Sequence, residues 1–317
     1  MKSFWDNLPQ PFFALAPMEA VTDVVFREVV RQTGAPDLFF TEFANATGWV
    51  HAGDRAIAGR LLKTDDEHPL VAQIWGGEPG DMEQFARHCI TLGFDGIDIN
   101  MGCPAKSAIK SGGAALIRQP ELAVKSIAAA KTAGLPVSVK TRLGYTHVDE
   151  WRDWLSAILQ QNVAALTIHL RTKKEMSKVP THFELIPEIV ALRDEISPQT
   201  LLIINGDVRD RAHGLQIVRE NPGVNGIMIG RGVFQNPFCF SPEQKTADKQ
   251  KLLALLKFHL DLFDKYQPQT GRPFETLKRF FKIYIRDFDG AKELRERLMH
   301  STSTDSVREI LGEYIEI

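Results

Sequence analysis

The sequence predicts an α/β protein, a TIM (β/α)8 barrel with a C-terminal all-helical domain. Eight short apolar runs lie between residues 12 and 232, and segments with helical spacing separate most of them. Polar or glycine-containing residues follow nearly every run. Parallel strands joined by helices, with polar residues gathered at one rim, are typical of this barrel. We therefore assign residues 1–240 to the barrel and 245–317 to the helical domain.

Most of the runs are continuous stretches of Val, Ile, Leu, Phe and Ala, as expected for parallel strands covered by helices. A doubly wound open sheet has the same alternation of strands and helices. Here polar residues follow most strands and not only those beside one switch point of the sheet. The G-x-G-x-x-G pattern of dinucleotide-binding sheets does not follow the first strand. Both observations favour the barrel. The predicted strands are 12–18, 38–43, 70–75, 96–101, 137–143, 164–171, 201–207 and 226–232.

The strand–helix alternation stops near residues 241–245, and the apolar spacing is helical from Lys251 onward. Pro268 and the turn at 271–273 are predicted to separate the first two C-terminal helices, and residues 289–290 precede a third. Within the barrel, helices are predicted from Pro79 onward, over 120–133 and over 149–161.

The composition is that of an ordinary globular protein, with 44% hydrophobic and 25% charged residues. The apolar runs are too short to span a bilayer, and the N-terminus lacks the apolar stretch of a signal peptide. Three cysteines without paired spacing argue against a disulfide framework and a zinc site. We expect a cytoplasmic protein that has no metal site and does not associate with a membrane. The net charge of −2 means that any RNA partner needs a local basic surface.

Two glycine-containing turns follow the last two predicted strands. Asn205-Gly206-Asp207 ends the seventh strand, and Gly230-Arg231-Gly232 ends the eighth. In TIM barrels the loops at these positions often bind phosphate. Glycine lets backbone N–H groups approach an anion, and Arg231 can donate two hydrogen bonds to it. These turns predict a phosphate site; the alternative is that the glycines serve only as turn residues.

Lys140 lies within the apolar fifth run, and burying an ammonium group is costly without an anionic partner. It is predicted to face a ligand that carries or develops negative charge, and a reduced flavin would qualify. The alternative is a structural salt bridge. His169, near the end of the sixth run, fits a ligand contact and a hydrogen-bonded core histidine equally well.

Cys103 follows the fourth strand within Asn100-Met101-Gly102-Cys103-Pro104. Glycine and proline on either side restrict the loop and can aim the thiol at a pocket. A thiol with a pKa of about 8.5 is mostly protonated at neutral pH and can act as a general acid. Cys89, in contrast, has the spacing of a small buried hydrophobe.

These residues together resemble the tRNA-dihydrouridine synthases, the FMN-dependent family that reduces uridine in RNA. The Asn-x-Gly-Cys-Pro segment at Asn100 is highly specific, and the resemblance runs from about Leu15 to Arg297. The other matching segments are Ala16-Pro17-Met18-Glu19-Ala20-Val21-Thr22-Asp23, Thr41-Glu42, Ser111-Gly112-Gly113-Ala114-Ala115-Leu116, Lys140-Thr141-Arg142-Leu143-Gly144, Asn205-Gly206-Asp207 and Ile229-Gly230-Arg231-Gly232.

The resemblance implies FMN as the cofactor, with Gln73 at the polar edge of the flavin ring and Lys140 at its N1–O2 side. The implied cofactor-binding residues are Pro17, Met18, Glu19, Gln73, Lys140, His169, Asn205, Gly206, Asp207, Gly230 and Arg231. The implied substrate-binding residues are Asn100 and Arg142, facing the uracil, with Arg171, Lys278, Arg279 and Lys282.

The implied reaction is reduction of uridine in tRNA to 5,6-dihydrouridine, with NADPH or NADH as the reductant of FMN. Hydride passes from flavin N5 to uracil C6. Cys103 delivers a proton to C5, because enolate character develops there. The resemblance also suggests a monomer, and it implies no protein partner. Ribosomal RNA is the alternative substrate.

Lys278, Arg279, Lys282 and Arg286 recur at intervals of three and four residues, which predicts that they lie near one helical face. Such a face could follow the phosphates of RNA. The alternative is an ordinary solvated face, because acidic residues in the same segment dilute the charge.

Three departures indicate a divergent bacterial-type member of the family. Leu170 and Ala20 stand where the family usually has glycine, and the loop after Leu170 carries lysines in place of tyrosine and tryptophan. Two rival functions remain. A small-molecule FMN oxidoreductase of the dihydroorotate dehydrogenase type would lack the Gly-Cys-Pro segment. A non-catalytic RNA-binding relative is disfavoured because Cys103, Lys140 and Arg231 are all present.

Overall fold

The computed structural model describes residues 3–243 and 248–315 and confirms the predicted barrel of parallel strands. The strands follow one another around the sheet in the order β1-β9-β8-β7-β6-β5-β4-β2. A parallel bridge between Ala14 and Leu38 joins the first strand to the second and closes the ring. The strands are β1 (Phe12–Leu15), β2 (Phe39–Phe40), β3 (Ala44–Asn45), β4 (Leu70–Trp75), β5 (Gly96–Asn100), β6 (Val137–Arg142), β7 (Ala165–His169), β8 (Leu201–Asn205) and β9 (Gly226–Ile229).

The second predicted strand, 38–43, is corrected by the structure into two short pieces, β2 and β3. Phe40 pairs with Val71, and Ala44 pairs with Ile74, so three residues of one strand lie opposite two of the other. This one-residue bulge bends the strand at the rim of the barrel. The Thr41 hydroxyl occupies the irregular position and accepts a hydrogen bond of 3.0 Å from the backbone N–H of Gln73.

Several other predicted strands extended too far at their C-terminal ends. The first ends at Leu15 rather than residue 18, and the sixth ends at His169 rather than residue 171. The last two end before their glycine-containing turns, at Asn205 and Ile229. These turn residues leave the ladder because they form the loops of the rim, where the backbone changes direction.

Helices cover the outside of the barrel. The segment predicted as helix over 149–161 is a short 3-10 turn followed by the α-helix Trp151–Leu159. The helix predicted over 120–133 ends at Lys131. The helices are α1 (Val24–Gly34), α2 (Ala46–Ala52), α3 (Pro79–Thr91), α4 (Pro120–Lys131), α5 (Trp151–Leu159), α6 (Ile186–Ile196), α7 (Arg211–Glu220), α8 (Gly232–Gln235), α9 (Lys249–Thr270), α10 (Phe281–Tyr284), α11 (Ala291–Met299) and α12 (Thr304–Ile315).

Alternate residues of each strand point into the barrel and out to the helices. In β1, Phe12 and Ala14 belong to the inner apolar cluster, whereas Phe13 and Leu15 belong to the outer one. Trp5, from the 3-10 turn Phe4–Asn7, joins the inner cluster and is 3% exposed. The inner cluster fills one end of the barrel, and this leaves the opposite rim for polar groups.

The C-terminal helices pack against α1, and one apolar cluster continues from the barrel into them. The Phe26 ring of α1 stacks on that of Phe280 at 5.0 Å. His259 Nδ1 and the Tyr284 hydroxyl form a buried hydrogen bond of 2.7 Å. Burial lowers the pKa of His259 to about 3, so the imidazole is neutral. The proposed division near residues 240–245 falls partly on residues outside the described part of the chain.

Three features of the C-terminal segment differ from the sequence prediction. Pro268 lies inside α9, which continues to Thr270, so it does not separate two helices. The second predicted helix is a 3-10 helix, Phe274–Phe280, followed by the single turn α10. The sequence pattern also missed α12 as a separate helix. The cations between residues 278 and 286 therefore do not share the face of one regular α-helix.

Candidate active site

Polar side chains replace the apolar inner layer where β4, β5 and β6 approach the rim. They form one hydrogen-bonded chain. Asn100 Nδ2 donates to Gln73 Oε1 at 3.0 Å, and Gln73 Nε2 donates to Asp98 Oδ2 at 2.6 Å. Ser138 donates to Asp98 Oδ1 at 2.6 Å. Burial raises the pKa of Asp98 to about 6. This chain fixes the orientation of Asn100.

Asn100 in turn shapes the loop that carries Cys103. Its Oδ1 atom accepts hydrogen bonds from the backbone N–H groups of Gly102, at 3.1 Å, and Cys103, at 2.9 Å. The carbonyl of Cys103 accepts a bond of 3.1 Å from Ala114 N–H. Gly113 has a φ of +56°, and a Cβ there would lie 3.0 Å from the Cys103 carbonyl oxygen. The glycine-rich segment thus supports the cysteine loop through close backbone contact.

Arg142, at the end of β6, holds the same loop from another direction. Its Nε donates to the Gly102 carbonyl at 2.8 Å, and Nη1 donates to the carbonyls of Thr172, at 3.1 Å, and Met176, at 2.9 Å. Burial raises the pKa of the Cys103 thiol, although Arg142 and Lys140 oppose this change. The thiol is therefore a protonated group beside two cations.

Two half-buried side chains, Lys140 and His169, lie beside this loop and make few hydrogen bonds to the described residues. In the part of the chain that the structure describes, Lys140 Nζ has one hydrogen bond, of 3.3 Å, to Asn205 Oδ1. Burial and then the charge of Arg142 lower the pKa of Lys140 to about 8. His169 Nδ1 is buried and has no hydrogen-bond partner among residues 3–243 and 248–315. Burial and four nearby cations lower the pKa of His169 to about 2, so its ring is neutral.

Asp207 organises the predicted phosphate site. Its φ is +47°, and its carboxylate accepts hydrogen bonds from Arg171 Nη2 and, at 2.7 Å, from Arg231 Nη2. Arg231 keeps 60% of its side chain exposed, whereas Arg171 is buried. Within the described chain, the backbone N–H groups of Asp207, Val208 and Arg231 donate no hydrogen bond. These donors are free to receive an anion.

A cavity of about 630 Å³ opens between these groups. All predicted cofactor-binding residues line it except Glu19 and Gln73, and Arg142 lines it as well. Gln73 is fully buried and uses both ends of its amide within the protein. Glu19 is exposed and pairs with Arg60 at 2.5 Å. The Cys103, Asn100 and Arg171 side chains adjoin the cavity lining without forming part of it.

Six lining residues were not among the predicted site residues, namely Ala16, Ser177, Val208, Arg209, Gly232 and Gln235. Ala16 and Gly232 stand directly beside predicted residues in the motifs that carry the resemblance. Val208 and Arg209 directly continue the turn after β8, so extending that motif by two residues would have found them. Ser177 belongs to the long loop after β7, and Gln235 ends α8. Their approach to the cavity depends on loop folding, for which the sequence carries no periodic signal.

A second cleft, of about 510 Å³, lies between the 3-10 helix 274–280 and α11. We call it the C-terminal groove. It brings together three of the four predicted basic residues and cations of α11, with Glu296 as its acidic member. Arg286, the fourth, lies outside the groove and donates to the Gln235 carbonyl at 2.5 Å. Arg279 donates to the Ala20 carbonyl at 3.0 Å, which connects the groove to the loop after β1. The groove cations are Lys278, Arg279, Lys282, Lys292 and Arg295.

Arg272 connects the C-terminal segment to the barrel rim. Its Nη2 lies 2.5 Å from Oε2 of the fully buried Glu42, and its Nε lies 3.9 Å from Asp23 Oδ2. Glu42 Oε1 is buried without a partner among the described residues. Burial raises the pKa of Glu42 to about 7, although Arg272 opposes this change. The sequence did not indicate this pairing.

No described helix combines the length and the apolarity needed to cross a membrane. Among residues 3–243 and 248–315, no group of three or more His, Cys, Asp or Glu side chains is arranged to hold a metal ion.

Comparison with known proteins agrees with the residues gathered here. A family model described as dihydrouridine synthase matches residues 14–315. The probable tRNA-dihydrouridine synthase 2 of Bacillus subtilis is 55% identical over 315 residues, covering 99% of this chain and 97% of that protein. A probable tRNA-dihydrouridine synthase of Staphylococcus epidermidis is 52% identical, with coverage of 99% and 96%.

Among solved structures, a 6-hydroxypseudooxynicotine amine oxidase from Pseudomonas geniculata superposes with a TM-score of 0.51 at 9% identity. The superposition covers 72% of this chain and 46% of that one, and it supports the fold alone. The family match and the two bacterial relatives extend over nearly the whole chain. The chain belongs to the dihydrouridine synthase family and is an oxidoreductase.

Proposed function

We propose that this protein reduces uridine in tRNA to 5,6-dihydrouridine, with FMN as the bound cofactor and NADPH or NADH as the reductant. The observation that carries the proposal is the cavity lined by Lys140, His169 and Arg231 beside the Cys103 loop. The names of the relatives support tRNA as the substrate class. We further propose a monomer that acts in the cytoplasm, where tRNA is modified.

The cavity fits a flavin mononucleotide. Its volume of about 630 Å³ lies within the ~300–1,000 Å³ typical of cofactor sites. The free backbone N–H groups of Asp207, Val208 and Arg231 suit the phosphate. Arg231 would pair with the phosphate while Asp207 keeps the guanidinium in place. The unpartnered Nδ1 of His169 is available for a polar atom of the cofactor.

Lys140 would hold the electron-rich edge of the flavin ring. Among the described residues its ammonium group donates one hydrogen bond, to the amide oxygen of Asn205, and forms no close ion pair, so binding an anionic edge would stabilise the charged form. When bound, FMN supplies the hydride that reduces uracil C6, and NADPH or NADH restores the reduced cofactor.

Cys103 would supply the proton that completes the reduction at C5. The acid must be protonated before the reaction, and burial raises the pKa of this thiol, which keeps it protonated at neutral pH. Arg142 would stabilise the thiolate left behind, because its charge favours the anionic form. Asn100 would position the thiol through its bonds to the backbone of Gly102 and Cys103.

Uridine inside folded RNA is stacked, so its base must leave the stack to meet the thiol and the cofactor. The C-terminal groove supplies cations for the phosphates around such a base. Its bond from Arg279 to Ala20 sets it beside the loop that lines the cavity.

The test is a nucleotide-resolution map of dihydrouridine in RNA from cells with and without the gene, together with the flavin content of the purified protein. Loss at a defined tRNA position, restored by the wild-type gene, is expected. Loss of dihydrouridine only in ribosomal RNA would identify ribosomal RNA, and not tRNA, as the substrate. An unchanged map together with a flavin-loaded protein would favour a small-molecule substrate, and a protein that binds no added FMN would refute the cofactor assignment.

A further inference from the structure

A second group of cations lies on the rim of the barrel, on the loops that follow β5, β6 and β7. We call it the loop surface. All its cationic residues are exposed except Lys173, which is half-buried. The loop surface consists of Lys106, Lys110, Arg118, Tyr145, Lys173, Lys174 and Lys178.

The strand order places this surface on the far side of the barrel from the C-terminal groove. The C-terminal segment contacts the loops after β1, β2 and β9 through Arg279, Arg272 and Arg286. Strands β5, β6 and β7 occupy the opposite arc of the ring. The cavity and the Cys103 loop therefore lie between two cationic surfaces.

Two of the three loops of this surface, those after β6 and β7, are joined by backbone hydrogen bonds. Lys173 N–H donates to the Gly144 carbonyl at 2.8 Å, and Lys174 N–H donates to the Tyr145 carbonyl at 2.9 Å. Glu150 accepts hydrogen bonds from the N–H groups of Tyr145, at 2.6 Å, and of the next two residues. These hydrogen bonds join the loops after β6 and β7 to each other in the protein without RNA, which reduces the entropy cost of binding.

Tyr145 brings cations from two loops to one point. Lys173 Nζ lies 4.8 Å from the centre of its ring, and the guanidinium of Arg118 lies 5.1 Å from the same centre. Both distances lie within the ~6 Å range of a cation–π contact. Within the described residues the Tyr145 hydroxyl makes no hydrogen bond, so the ring is the part that holds the two cations.

The charges of the loop surface are not neutralised within the protein. None of its six cations forms an ion pair with a carboxylate in the described ranges 3–243 and 248–315. Glu175 lies in the same loop, but its carboxylate is used by the Thr172 N–H at 2.7 Å and by His182 at 2.9 Å. Six unpaired cations beside a catalytic rim suit a polyanion better than a small substrate.

We propose that the loop surface is a second RNA-binding surface, which binds the phosphate backbone of the substrate on the side opposite the C-terminal groove. This inference rests on the proposed function, because the RNA is the tRNA whose uridine is reduced. Tyr145 is a positioning residue: it holds Arg118 and Lys173 ready for phosphates. The substrate RNA spans the cavity between two cationic surfaces.

The test uses the full-length enzyme and total tRNA from cells that lack the gene. Binding is measured by filter retention between about 50 and 200 mM salt, and steady-state kinetics of dihydrouridine formation are measured beside it. The loop variant is Lys173→Gln with Lys174→Gln. Its control is Lys125→Gln with Arg219→Gln, which removes the same charge from exposed sites on α4 and on the last turn of α7.

We expect the loop variant to weaken tRNA binding on the order of tenfold and to lower the salt slope by about 2, with kcat unchanged. Tyr145→Leu should weaken binding about twofold to fivefold, and Tyr145→Phe should bind like the wild type, because the ring is retained.

Two results would overturn the inference. The first is a loop variant that binds tRNA like its control while the wild type forms dihydrouridine, which would leave the proposed function intact. The second is a wild type that neither binds nor reduces tRNA, which would refute both. Melting temperatures and flavin content of each variant identify a folding defect, and the lysine variants test the proposal even if Tyr145→Leu does not fold.

Discussion

At the scale of single residues, the site places a protonated thiol beside two cations, Arg142 and Lys140, which form no ion pair with a carboxylate among the described residues. Burial keeps the Cys103 proton in place, while Arg142 and Lys140 favour the thiolate that forms after proton transfer. A general acid needs both properties. The thiol lies outside the lining of the flavin-sized cavity, so its removal should affect the substrate reaction more than cofactor binding.

We predict that Cys103→Ala retains FMN and oxidises NADPH but forms dihydrouridine at least about 100-fold more slowly, because general acid catalysis contributes a factor of ~10²–10⁴. Flavin absorbance, NADPH consumption and dihydrouridine content are the three measurements. Cys89→Ala, which alters a fully buried thiol on α3, is the control for removing a cysteine. Full turnover by Cys103→Ala would remove this residue from the mechanism.

Glu42 allows a prediction about stability and pH. Its pKa is about 7 in the folded protein because of burial, and about 4.3 in an unfolded chain. The folded state therefore retains a proton that the unfolded state has lost between these pH values. The contribution of Glu42 to the free energy of unfolding therefore falls as the pH rises through this interval.

The variant Glu42→Gln removes this titration. We expect the decline in the free energy of unfolding between pH 5 and 8 to be smaller in the variant than in the wild type by about 1–3 kcal/mol. Urea unfolding at several pH values measures it. Glu309→Gln, at an exposed position on α12, is the control. Parallel pH profiles for Glu42→Gln and the wild type would show that Glu42 does not titrate in this way.

At the scale of elements, the cysteine loop depends on backbone segments that only glycine allows to approach. Gly112 has a φ of +153°, and a Cβ there would lie 2.8 Å from the carbonyl oxygen of Gly76. Gly113, beside it, contacts the carbonyl of Cys103. The segment thus joins the loop after β4 to the loop after β5.

We predict that Gly112→Ala destabilises the protein by about 1–3 kcal/mol, because the new Cβ would collide with backbone that cannot give way easily. The strain is local, so dihydrouridine formation should fall while the barrel stays folded. Thermal unfolding measures the stability, circular dichroism shows whether the barrel is folded, and the dihydrouridine content of tRNA measures the activity. Gly80→Ala, where a Cβ meets nothing within 4 Å, is the matched control. Equal stability of both variants would contradict the close contact.

At the scale of the whole molecule, the C-terminal helices and the barrel loops together surround the cavity with positive charge, although the chain carries a net charge of −2. The acidic residues must therefore predominate elsewhere on the surface. This separation of charge orients a polyanion toward the rim. The affinity for RNA should then depend strongly on salt.

We predict that Lys282→Gln combined with Lys292→Gln, two exposed cations of the C-terminal groove, lowers the slope of log affinity for tRNA against log salt by about 2. The flavin content should not change, because neither side chain lines the cavity. Lys125→Gln with Arg219→Gln again controls for lost charge. An unchanged slope would exclude the groove from RNA binding.

Apolar runs and their polar ends sufficed to predict the barrel, because eight parallel strands covered by helices leave a regular pattern along the chain. Most of the residues that line the cavity could also be predicted, because the C-terminal ends of the strands of a barrel meet at one rim. The boundaries of rim loops were less predictable. Asp207 and Arg171, for example, leave their strands to form an ion pair with each other.

The sequence by itself determined the family, the fold and the polar residues at the strand ends, because those depend on local pattern and motif. Only the tertiary structure decided which side chains meet. In the folded protein both ends of the Gln73 amide form hydrogen bonds to other side chains. Arg272 pairs with Glu42, 230 residues earlier in the chain, and Arg118 lies over the ring of Tyr145. Such contacts depend on loop folding and on the packing of α1 against the C-terminal helices, and neither leaves a periodic signal in the chain.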